Sequence, residues 1–112
     1  MKFGLKNNII QEVQAVFSQY PEVDAAIIYG SRAKGNFRPG SDIDITLKGE
    51  KVNLKILNSI ALQLDDLLLP YIFDLSVFSH IKNPELIDHI NRVGKVFYEA
   101  TRPLYPQATT VA

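Results

Sequence analysis

Apolar positions along the chain switch between two periods. Ile9, Ile10, Val13, Val16 and Phe17 recur at helical spacing, with Asn7 or Asn8 placed to cap the helix and Pro21 to stop it. Ala25 to Tyr29 is a short apolar run ending at Gly30, which predicts a buried strand. Residues 30–41 are polar, basic and glycine-rich, a loop with room for one helical turn after Ser31. Asp42-Ile43-Asp44-Ile45-Thr46-Leu47 alternates with period two, the pattern of a strand with one apolar and one polar face. Leu57, Ile60, Ala61, Leu64, Leu67 and Leu68 predict a second amphipathic helix, stopped by Pro70. Tyr71 to Phe78 is aromatic and β-branched, hence a third strand. Asn83 and Pro84 open a last helix whose stripe is Leu86, Ile90, Val93 and Phe97. Residues 1–100 are expected to form one domain and 101–112, with two prolines and no period, a flexible tail.

Interleaved helices and strands favour an α/β two-layer sandwich, a small mixed sheet packed with helices. The short link between the first two strands suits antiparallel pairing, and the helix between the second and third suits a crossover. A chain of 112 residues can bury roughly two-thirds of its unfolded surface, enough for a core without staples. Cysteine is absent, which excludes disulfide frameworks, thiol catalysis and Cys-based metal sites. Lys+Arg and Asp+Glu are both 12, so the chain lacks the basic excess of a protein that grips long nucleic acid. The N-terminus is too polar for a signal-peptide core, and the apolar runs are too short to span a bilayer; a cytoplasmic address is expected.

The candidate chemistry lies on the second strand. Side chains two apart on a strand share a face, so Asp42 and Asp44 project together. Paired carboxylates repel unless a cation sits between them, and hard oxygen donors favour Mg²⁺ or Mn²⁺. Asp74 is the sole acid in an apolar third strand, costly if merely buried and sensible if it faces the other two. Three carboxylates on one face can hold two metals, the clamp of in-line phosphoryl chemistry. An Asp-x-Asp alone is more often a turn cap and a solvated position; the neighbouring loop changes that weighting. Gly30 and Ser31 follow the first strand directly and offer a close backbone approach and N–H groups to an anion. Arg32, Lys34 and Arg38 add local positive charge. The glycines at 35 and 40 have Walker-like spacing, but Ser41-Asp42 follows instead of Lys-Ser and no helix pattern begins there. His80 and His89 lack ligand-like spacing and are read as surface residues. Among the aromatics, Phe37 is the one flagged to stack on a base.

Taken together, Gly30-Ser31-Arg32-Ala33-Lys34-Gly35, Ser41-Asp42-Ile43-Asp44-Ile45 and Phe73-Asp74-Leu75 resemble the minimal nucleotidyltransferases of the polymerase beta superfamily, across nearly the whole chain. The resemblance implies a polymerase beta palm-like fold and transfer of a nucleoside monophosphate, AMP from ATP, to a hydroxyl. It implies Gly30 and Ser31 on the triphosphate, and Asp42, Asp44 and Asp74 as catalytic residues on two Mg²⁺ or Mn²⁺ ions; Arg32, Arg38 and Ser41 are added as nucleotide contacts from the loop itself, against the alternative of a solvated basic loop. It further implies a small helical partner of the HEPN kind, within a two-component or toxin–antitoxin system. Two other readings stand beside it: a nucleotide-binding regulatory subunit with little catalysis, and a small-molecule transferase of the antibiotic-modifying sort.

Overall fold

The computed structural model describes residues 1–101. The elements run α1 (Asn7–Ser18), β1 (Ala25–Tyr29), α2 (Gly30–Lys34), β2 (Ile43–Lys48), α3 (Leu54–Asp66), β3 (Phe73–Val77), a 3₁₀ turn (Phe78–His80), α4 (Pro84–Val93) and β4 (Lys95–Glu99). The strands form one mixed sheet in the order β3-β2-β1-β4. β1 pairs antiparallel with β2 and β4, and β2 pairs parallel with β3 across the α3 crossover. The fold is the small α/β sandwich expected, and β1 has the expected bounds.

One sheet face makes the core. Ala26, Ile28, Ile43, Ile45 and Leu47 are buried and pack with Ile10, Val13, Val16 and Phe17 of α1 and Ile60 and Leu64 of α3. At about 25 cal/mol per Å² of apolar surface removed from water, this layer is the main source of stability. Asn53 caps α3 by accepting from the Ile56 N–H at 2.9 Å, and Asn83 caps α4 by accepting from the N–H groups of Glu85 and Leu86. α4 lies on the opposite face, where Gly94 comes so close to Ile27 that a Cβ would overlap it.

Three expectations are corrected. Asn7 and Asn8 do not cap α1: the N-cap is Lys6, without a side-chain bond. A turn between Lys2 and Leu5, anchored by the buried Leu5, sets the helix start. Phe97 is not on a helix. Gly94 ends α4, and Lys95-Val96-Phe97-Tyr98-Glu99 pairs with β1 as a fourth strand. Its Phe97 packs edge-on against Phe17, so the residue is core as expected but reaches it from the sheet. Leu68 is not core: α3 ends two residues earlier, and Leu68 is 88% exposed with φ 55°. The loop after β1 opens with a full short helix, α2, closed by Gly35 at φ 89°. The predicted tail falls on 101–112, of which residues 102–112 lie outside the described ones.

Candidate active site

The alternation of β2 carries Asp44 and Thr46 to the face opposite the core, and pairing brings the partners. Asp44 is the register partner of Asp74 on β3 and of Tyr29 on β1. Asp42 stands one residue ahead of β2, exposed, with Asp74 also exposed and Asp44 half-buried. Burial pushes the Asp44 carboxyl above its ordinary range, the negative charges of Asp74 and Asp42 push it further, and His89 opposes them. The two aspartates on neighbouring strands therefore meet as the sequence predicts, and Asp42 acts on the same point. They do not form a closed cage. Among the described residues, no three His, Cys, Asp or Glu groups stand close enough to hold an ion as they lie. The donor set itself, hard oxygens whose mutual repulsion a cation would relieve, suits Mg²⁺ or Mn²⁺.

Gly30 is tied to this pair. It has φ 73°, and a Cβ on it would run into the Asp44 carboxylate. Two independent constraints thus require glycine here: the left-handed backbone and the approach to Asp44. Gly30 opens α2, so the Gly30–Ser31 backbone turns from β1 beside the acids. Tyr29, just before it, is buried. Burial raises its phenol pKa, the Ser76 hydroxyl counters that, and Asp44 and Asp74 raise it further.

His89 was missed. It is half-buried on α4, its Nε2 accepts the Gly30 N–H at 3.2 Å, and its ring meets Tyr29 edge-on at 6.1 Å. The signal was available: His89 stands three residues after Leu86 and four before Val93, on the stripe that faces the sheet.

The basic loop divides. Arg38 is exposed, and its backbone N–H donates to the Ser41 hydroxyl at 2.9 Å. Ser41 is therefore a turn-closing residue in this arrangement. Arg32 is 2% exposed. Its guanidinium donates to the carbonyls of Ser41, Pro39 and Phe3, at 2.9 to 3.2 Å. The expectation that Arg32 offers its charge to a phosphate does not fit that placement. Phe37, flagged as a base platform, instead lies over the Arg32 guanidinium at 5.2 Å. His80 is exposed, as expected.

The family model described as "Polymerase beta, Nucleotidyltransferase" matches residues 11–103. The chain belongs to that family. It is a nucleotidyltransferase. Among solved structures, a toxin–antitoxin crystallised with AMP-PNP is similar at TM-score 0.65 and 21% identity, over 95% of this chain and 85% of that one. Two mutants of the toxin–antitoxin MntA-HpeT are similar at TM-scores 0.62 and 0.63, with 18% and 21% identity, over 95% of this chain and 84% of each. These likenesses establish the nucleotidyltransferase fold. No curated protein matches the sequence. Among the described residues, no helix is long and apolar enough to cross a membrane.

Proposed function

We propose that the chain transfers a nucleoside monophosphate, AMP from ATP, to a hydroxyl on a small helical partner protein of the HEPN kind, the hydroxyl oxygen bonding to the α-phosphorus as pyrophosphate leaves. The observation that carries the reading is the register of Asp44 with Asp74, with Gly30 closed against Asp44. Asp42, Asp44 and Asp74 would hold two divalent cations. When bound, such ions offset the charge of the triphosphate and orient it for in-line displacement. The Ser31 hydroxyl and the first-turn N–H groups that follow Gly30, whose own N–H is taken by His89, would meet the phosphates. Arg38, exposed at the loop, supplies a further cation at the rim. Asp74, exposed on the edge strand, would take the proton of the attacking hydroxyl. Phosphoryl transfer depends chiefly on positioning and charge neutralisation, so this set is chemically sufficient.

Two observations favour a protein acceptor. Asp42 and Asp74 are exposed, on a face that a second molecule can close. Structures of similar fold are toxin–antitoxin assemblies, one of them crystallised with AMP-PNP. The test is co-purification from the native host, incubation with ATP and Mg²⁺, and mass spectrometry of both chains. An AMP adduct on a co-purifying helical protein is expected. A lone chain that efficiently adenylylates a small molecule would overturn the partner reading in favour of an antibiotic-modifying type.

A further inference from the structure

We infer that Arg32 is a positioning residue for the transfer site, a clamp that sets Asp42 and ties together the three chain segments bearing the site. The inference rests on the proposed role of Asp42 as a metal ligand. The geometry begins with the fork of the guanidinium. Its Nε and Nη2 both donate to the Ser41 carbonyl, at 3.1 and 2.9 Å. That carbonyl belongs to the peptide leading into Asp42, so two bonds fix the plane from which the Asp42 side chain departs. Nη2 also reaches Pro39 at 3.2 Å, and Nη1 reaches Phe3 at 2.9 Å. The loop of 35–41 is thereby fastened at its C-terminal end and joined to the N-terminal turn. Gly4, at φ 73°, permits this: a Cβ there would overlap the Phe37 ring and press on Nη1 of Arg32.

Ring faces complete the clamp. Phe37 and Tyr71 each lie 5.2 Å from the guanidinium carbon. Tyr71 stands three residues ahead of Asp74, and the intervening Ile72 carbonyl accepts the Ile43 N–H at 2.9 Å. Arg32 itself sits in α2, one residue after Ser31. One buried side chain thus touches the segments that carry the Gly-Ser turn, Asp42 and Asp74. Lysine cannot replace it: an ammonium lacks the planar fork, and its hydration is stronger. A cation spent on backbone carbonyls and aromatic faces, at 2% exposure, is also poorly placed to meet a phosphate.

The test uses the whole chain, Arg32→Lys, and two readouts that general destabilisation does not move selectively. Amide exchange at Ser41 and Ile43, whose N–H groups donate to the Arg38 and Ile72 carbonyls on either side of Asp42, is expected to quicken at least tenfold while that of α1 is unchanged. Mn²⁺ affinity, read by the free-ion electron paramagnetic resonance signal, is expected to fall about tenfold, the usual scale for residues that orient metal ligands. In the wild-type chain, the Arg32 Nε–H signal in a ¹⁵N–¹H spectrum is expected to be slow to exchange and to stay in place when Mg²⁺ and AMP-PNP are added. That measurement needs no variant, so it decides even if Arg32→Lys fails to fold. An Arg32 signal that exchanges freely, or shifts strongly on adding the nucleotide, would overturn the clamp and restore Arg32 as a phosphate contact. So would a folded Arg32→Lys with unchanged exchange at Ser41 and Ile43. Equal Mn²⁺ affinity in wild type and Asp42→Asn would instead overturn the metal reading, while the exchange data still judge the clamp.

Discussion

Strand β2 presents two faces whose physics is opposite. On one, Ile43, Ile45 and Leu47 are fully buried under α1 and α3. On the other, Asp44 faces Asp74, with its pKa raised by burial and by the charges of Asp74 and Asp42. The first face lowers the free energy of the folded chain. The second raises it, since a half-buried carboxylate beside two others is a poor bargain for folding alone. That a small domain keeps such a face is the physical argument for reading it as functional. Substitutions on the two faces should therefore separate stability from activity in opposite directions.

The largest separation is expected from Asp42→Asn and Asp44→Asn. Each removes a proposed metal ligand, and transfer is expected to fall on the order of a thousandfold, about 4 kcal/mol of transition-state stabilisation. Melting followed by circular dichroism should remain at or above the wild-type midpoint. Unfolded variants would show the acids to be structural. On the other face, Ile45→Ala is expected to cost about 2–5 kcal/mol in urea unfolding, with transfer per folded molecule little changed.

Gly30→Ala tests the contact between the turn and the acids. Its Cβ would enter the Asp44 carboxylate in a left-handed backbone. The backbone alone costs about 1–2 kcal/mol, and we expect activity to fall by more than that stability loss explains, because Asp44 itself must move.

The smallest effect is one of pH. A folded-state pKa above the unfolded one means that the native chain binds more protons across the carboxylate range. Asp44 thus contributes stability that is present below about pH 3.9, its unfolded value, and lost as pH rises through its raised folded value. Metal-free Asp44→Asn should melt above wild type at pH 7, and the gap should close under acid. A gap that widens under acid would contradict the repulsion.

How much of this was legible follows from where each signal resides. β1 and the shared face of alternate β2 residues were readable because strand period and apolar runs are local properties of the sequence; the pairing of Asp44 with Asp74 was readable only as a condition, that an acid in an apolar strand makes sense if it faces other acids. β4 was not, because Phe97 continues the α4 stripe at helical spacing; only Gly94 and the β-branched and aromatic residues after it argued otherwise. The burial of Arg32 was hidden for a deeper reason. Its residue type and loop context suggest a solvated cation, and its burial depends on carbonyls converging from Phe3, Pro39 and Ser41. The contact of His89 with Gly30 likewise joins residues 59 apart.

The central claim, that the acidic face is a metal-dependent nucleotide site, is tested most directly by titration calorimetry of the wild-type chain with AMP-PNP, in Mg²⁺ and in EDTA. Three carboxylates at the site repel a triphosphate unless a cation intervenes. The account predicts binding with Mg²⁺ and none detectable in EDTA. Equal affinity in the two conditions would contradict it.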